Sequence, residues 1–129
     1  MDQAAHDEDT IVAISTAAGM GAIGVVRLSG PDATVLADRV FRSVTGRSAR
    51  RGQGFSLSYG HVGDPQGGTV IDEALLAVMP GPRSYTREDV VEIQCHGGSA
   101  ATREILRLLI KLGARPADPG EFTRRAFMN

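Results

Sequence analysis

At 129 residues the chain is sized for one domain burying about two-thirds of its unfolded surface, and a formal net charge of −1 gives it no global field toward nucleic acid or anionic membrane. Its 42% hydrophobic and 22% charged residues are those of a globular protein, and 5% aromatics without tryptophan argue against extensive base-stacking surfaces. The single cysteine, Cys95, excludes an internal disulfide and a cysteine-based zinc site, and no apolar run approaches the roughly 20 residues of a membrane span.

The first nine residues, with Asp2, Asp7, Glu8 and Asp9, read as disordered and are unlike a signal peptide. The ordered domain is set at residues 9–129, behind a tail of residues 1–8. Ile11 to Ile14 reads as a first strand and Ile23 to Leu28 as a second. Ser29, followed by Pro31 and Asp32, predicts a helix start in which a serine and an acid three residues on satisfy free amides. Ala33, Leu36, Ala37, Val40 and Phe41 then recur at helical spacing and form one apolar face. Arg42 to Gly54 reads as a polar loop rich in arginine and glycine. Phe55 to Val62 and Thr69 to Met79 are two strands, joined as a hairpin through residues 63–68.

The most informative stretch runs from Pro80 to Gly98. Two prolines and a glycine turn the backbone at its start, Val90, Val91 and Ile93 make a β-branched run, and Gly97-Gly98 end it. Within that run Glu92 is an acid beside the core, costly to bury without a partner. Arg27 stands late in the second strand, and a guanidinium and a carboxylate in neighbouring strands can each fix one part of a ligand; the sequence leaves open what pairs with Glu92. Each also reads as a charge on a solvated strand face. Ser99 to Leu112 follows as a helix with Ile105, Leu108, Leu109 and Leu112 inward, Arg103, Arg107 and Lys111 outward, and Gly113 as its stop. The order β-β-α-β-β-β-α predicts an α+β fold with a single mixed sheet and flanking helices.

Other motifs favour plain readings. Residues 19–24 reproduce the glycine spacing of a dinucleotide fingerprint, but Val25-Val26-Arg27-Leu28 continues as a strand where that chemistry requires a helix. A tight loop between strands is the better reading. His61 and His96 lack a carboxylate cluster to complete a metal site, and Cys95 beside His96 reads as a buried structural thiol, since adjacent strand residues point to opposite faces. There is no Gly-x-x-x-x-Gly-Lys-Ser/Thr loop, no Gly-x-Ser-x-Gly elbow and no carboxylate ladder of a metal hydrolase.

Residues 9–13, 24–30, 80–86, 88–98 and 119–129, ending Pro119-Gly120-Glu121-Phe122-Thr123-Arg124-Arg125-Ala126-Phe127-Met128-Asn129, together resemble the amino-terminal domain of the tRNA-modification GTPases of the MnmE (TrmE) type. The resemblance implies a domain that binds a tetrahydrofolate one-carbon carrier (5-formyl- or 5,10-methylene-tetrahydrofolate), is similar to the folate domain of glycine-cleavage aminomethyltransferases, and forms the homodimer. By position, Arg27 and Glu92 match the family's folate-binding residues, and a third, a lysine, falls beyond Asn129. The resemblance further implies a cytoplasmic protein, with no membrane, whose helical and GTPase domains use GTP, Mg²⁺ and K⁺ outside this chain. With a flavin-dependent partner it modifies carbon 5 of the wobble uridine of certain tRNAs. On that reading the chain is a truncated product or excised domain, catalytically inactive and unable to bind or hydrolyse GTP by itself. A stand-alone aminomethyltransferase-like protein and an assembly module without ligand are the alternatives. The Gly19–Gly24 loop, Tyr85 and the Gly97-Gly98 turn are expected pocket walls.

Overall fold

Strands whose side chains alternate between buried and open positions form the centre of this protein. In the computed structural model, which describes residues 8–16, 22–49 and 54–129, seven of them form one sheet. These are β1 (Ile11–Ile14), β2 (Ile23–Ser29), β3 (Phe41–Ser43), β4 (Ser56–Gly63), β5 (Val70–Met79), β6 (Val90–His96) and β7 (Arg115–Pro116). Their order is β3-β4-β5-β6-β2-β1-β7, and every pairing is antiparallel except the parallel one between β1 and β7. Among the described residues three helices accompany the sheet: α1 (Ala33–Val40), α2 (Ser99–Lys111) and α3 (Glu121–Met128). The fold is α+β with a single mixed sheet, as the order of elements predicts.

One face of the sheet carries the core. Val26 and Leu28 of β2, Leu76 and Val78 of β5 and Val91, Ile93 and Cys95 of β6 meet Leu36, Ala37 and Val40 of α1 and Ile105, Leu108 and Leu109 of α2 in one buried cluster. The period of two in the strands and of 3.6 in the helices aims these side chains at one layer. Arg103, Arg107 and Lys111 lie on the exposed side of α2, as its spacing requires. Gly24 belongs to this packing: it is paired with Cys95, and a Cβ there would collide with the Thr102 methyl of α2. It serves a strand-on-helix contact and not a phosphate turn, while residues 17–21 of the glycine-rich stretch lie outside the described residues.

Several local expectations are corrected. Ser29 and Asp32 do not cap α1. The Ser29 hydroxyl bonds the Thr86 hydroxyl (2.7 Å) and Glu88 Oε1 (2.8 Å), Asp32 makes no side-chain cap, and its N–H donates to Thr10 Oγ1 at 2.8 Å. Phe41, Arg42 and Ser43 are strand and not helix end or loop. They pair with Val62, His61 and Gly60 because Gly60 has no Cβ to obstruct the Arg42 carbonyl and the Phe41 ring. The segment after Gly113 supplies β7 and α3, which periodicity alone did not reveal. Of the acidic start, residues 1–7 lie outside the described residues, but Asp9 is placed and holds two arginines.

Candidate functional site

Antiparallel pairing of β2 with β6 sets Arg27 directly opposite Glu92. Opposed residues in such a ladder share a face, here the one turned away from α1 and α2. The Arg27 Nε and Nη2 groups both donate to Glu92 Oε2, at 2.9 and 2.7 Å, with the side chains 30% and 17% exposed. The partner that a half-buried Glu92 demands is therefore Arg27. Glu92 Oε1 receives a longer bond, 3.3 Å, from Gln94 Nε2 two residues along the same face. A carboxylate offers about four lone-pair sites, so this oxygen keeps accepting capacity.

Arg27 and Glu92 line a cleft of about 610 Å³ together with Met79, Tyr85, Phe122 and Thr123. That volume lies within the range of roughly 300–1,000 Å³ usual for small-molecule sites. The Phe122 ring of α3 faces the pair, its centroid 5.7 Å from Arg27 Cζ, a cation–π distance. The Tyr85 and Thr123 hydroxyls meet at 3.0 Å and join the loop before β6 to α3. Of the expected walls, Tyr85 belongs to the cleft. Gly24 and the Gly97-Gly98 turn do not, because β6 carries Glu92 at its centre and the turn beyond its far end, where His96 pairs with Ile23. Phe122, Thr123 and Met79 escaped the sequence reading. A usable signal for the first two was Gly120 followed by Glu121 and Arg125 four residues apart, a helix start with an acid in its first turn.

A buried charge cluster holds α3 in place. Arg125, 1% exposed, donates to the Asp9 carbonyl (2.6 Å) and to Asp9 Oδ1 (2.9 Å). It also donates to both Glu88 oxygens (3.0 and 3.2 Å) and to Glu121 Oε2 (3.3 Å). Arg115 adds bonds to Asp9 Oδ2 (2.6 Å) and Glu121 Oε2 (2.5 Å), and Asn129 Nδ2 donates to the Thr86 carbonyl at 2.9 Å. Burial alone would raise the Asp9 and Glu121 carboxyls, but hydrogen bonds and charge from Arg115 and Arg125 outweigh it and hold both below their ordinary values. The same two acids push the Arg115 guanidinium further up.

His96 and Cys95 have no part in the cleft. His96 Nδ1 lies 2.8 Å from Asp72 Oδ1, and that hydrogen bond and charge raise its pKa, while the buried Cys95 thiol is pushed up by desolvation. Among the described residues no group of three or more histidine, cysteine or acidic side chains is arranged to hold a metal ion.

Comparison with known proteins gives this geometry a family. The profile described as "GTP-binding protein TrmE N-terminus" matches residues 10–129. The chain belongs to the TrmE amino-terminal family. Proteins named "tRNA modification GTPase MnmE" match over 121 residues, 94% of this chain, at 56% identity in Streptococcus pyogenes serotype M5 (strain Manfredo) and 51% in Geobacillus thermodenitrificans (strain NG80-2). The chain spans about a quarter, 26%, of the length of those relatives. In this TrmE amino-terminal domain, Arg27, Glu92 and the α3 residues Phe122 and Thr123 fall within the matched region. Among the described residues no helix is long and apolar enough to cross a membrane.

Proposed function

We propose that this domain binds a reduced folate, a 5-formyl- or 5,10-methylene-tetrahydrofolate, in the cleft between the sheet and α3, with Glu92 and Arg27 as its binding residues. The observation that carries the reading is Glu92. It is a half-buried carboxylate on a rigid strand, held by Arg27 through Oε2 and keeping accepting capacity on Oε1. A pterin presents a 2-amino group and N3–H side by side on one edge, and a carboxylate accepts both with charge assistance. Phe122 and Met79 supply apolar surface for a flat ring, and Arg27 is a natural partner for folate oxygen or carboxylate groups. A strand-borne acid is aimed more rigidly than a loop-borne one.

In the longer protein this domain also forms the homodimer and serves a cytoplasmic GTPase acting with a flavin-dependent partner on the wobble uridine of tRNA. GTP, Mg²⁺ and K⁺ bind outside the 129 residues. The folate supplies the one-carbon unit, and this domain's residues bind and orient that carrier.

Calorimetric titration with 5-formyl-tetrahydrofolate tests the reading. Glu92→Gln keeps the shape but turns one acceptor into a donor facing a donor, so binding weakens by about 2–4 kcal/mol while the thermal melt is unchanged. Equal affinity in the variant removes Glu92 from the site. A wild-type protein that takes up no folate is an assembly module instead.

A further inference from the structure

Charge is unevenly spread along this chain. Residues 39–63 contain five arginines and neither aspartate nor glutamate, within a protein of net charge −1. Three of these arginines are described, and the fold gathers them. Arg39 lies in the last turn of α1, Arg42 in the edge strand β3 and Arg47 just after the turn that follows. All three are exposed and line one concavity of about 390 Å³. The one acid there, Asp38, accepts from the Ser48 hydroxyl (2.6 Å) and the Ala49 N–H (2.7 Å), which folds the loop back on α1 and sets Arg47 beside the other two. Counting Asp38 against the three arginines, the concavity carries a formal net charge of +2.

The same edge carries aromatic surface. Arg42 stands directly opposite His61 in the β3–β4 ladder, and both are exposed. The His61 ring lies 5.9 Å from that of Tyr59, two residues along the same face, and the Tyr59 hydroxyl is fixed by Glu73 Oε2 at 2.9 Å. Exposed guanidiniums next to exposed rings are the combination that takes a phosphodiester backbone and an unstacked base. Among anionic partners a nucleic acid is the one that also offers flat bases to the neighbouring rings, and the relatives are named for tRNA modification.

We propose that the β3 edge, through Arg39, Arg42 and Arg47 with His61 beside them, is a docking surface for the phosphate backbone of RNA. It lies toward the other edge of the sheet from the cleft, with β4 and β5 between β3 and β6, so RNA binding is independent of the folate reading. Contacts to phosphates position RNA without reading its sequence, and their mark is dependence on salt.

Fluorescence anisotropy tests this with a labelled, unmodified tRNA transcript and the 129-residue protein at 50, 100 and 200 mM salt. Three phosphate contacts weaken wild-type binding about 20–40-fold across that range. Arg39→Ala/Arg42→Ala/Arg47→Ala should lose both the affinity at 50 mM and most of the salt slope, with melting temperature preserved. Arg107→Ala/Lys111→Ala, on the exposed face of α2, should behave as wild type. The proposal is overturned by no wild-type binding at 50 mM, by an unchanged triple variant, or by an equal loss in the α2 variant. Uptake of inorganic tripolyphosphate without tRNA would make this a small-anion site, and arginine-dependent binding to phosphatidylserine vesicles without tRNA would make it a membrane patch. Either result also overturns it.

Discussion

Glu92 and Arg27 lie 65 positions apart in sequence, yet each owes its conformation to the other. In a cleft open to water the pair contributes modestly to stability, and its worth lies in fixing a carboxylate at a set angle. A second acid–base pair gives a sharper test at the level of single residues. Asp72 accepts from the His96 N–H at 2.9 Å and from its ring nitrogen at 2.8 Å, and this bond, with the Asp72 charge and that of Glu73 behind it, raises the imidazole pKa. A raised folded-state value means that the stabilisation is fully present below pH 6.5 and is lost as pH rises through the higher value. An NMR titration should place His96 above 6.5, and Asp72→Asn should move it down. A His96 that titrates identically in the two proteins would remove Asp72 as the cause.

An eight-residue helix such as α3 does not hold itself together in water, so its position is a tertiary matter. What holds it is the ion cluster around Arg125, and what depends on it is the Phe122 and Thr123 wall of the cleft. Removing one member of a buried ion pair leaves the other charge uncompensated, at a cost of about 3–5 kcal/mol. Arg125→Met should therefore lower stability by that order in urea unfolding, and Glu121→Gln should be destabilising as well. The two depressed carboxyls add a pH signature. With folded-state values below the ordinary 3.8 of Asp9 and 4.5 of Glu121, their contribution is present above about pH 4.5 and is lost as pH falls through the folded values. The gap between wild type and Glu121→Gln should accordingly narrow from pH 7 to pH 3. A gap that stays constant over that range would remove Glu121 from the acid response.

For the molecule as a whole, the sheet has one covered face and one largely open face. In the strand Ala74–Met79, Ala74, Leu76 and Val78 are spent on the core, whereas Leu75 turns to the open side with Leu57, Tyr59 and Ile23, all of them exposed. We propose that the homodimer of the proposed function uses this strand and the Pro80–Tyr85 loop; a two-fold interface needs a self-complementary patch of roughly 800 Å² per partner. Analytical ultracentrifugation should find a dimer at tens of micromolar, weakened by Leu75→Glu. A clean monomer at about 100 μM would mean that this domain does not dimerise by itself.

Local chemistry was enough for β1, β2, α1, the β4–β5 hairpin, β6 and α2, because period-two and period-3.6 patterns and glycine or proline stops act within a few residues of where they stand. The importance of Glu92 was legible for the same reason: an acid inside a β-branched run announces a missing partner. The identity of that partner was not, since strand register is a long-range property and only the β2–β6 ladder puts Arg27 opposite it. Ser29 shows how tertiary contacts overrule a local signature, its hydroxyl going to Thr86 and Glu88 instead of the helix amides. Phe41–Ser43 has too few residues to display a period, and α3 is held by charges drawn from four separate segments, so neither could be read before the chain was folded. The sequence by itself determined the α+β class and the acid around which the cleft is built. Only the tertiary structure decided which cation and which aromatic ring meet that acid, because those contacts join positions that no local pattern connects.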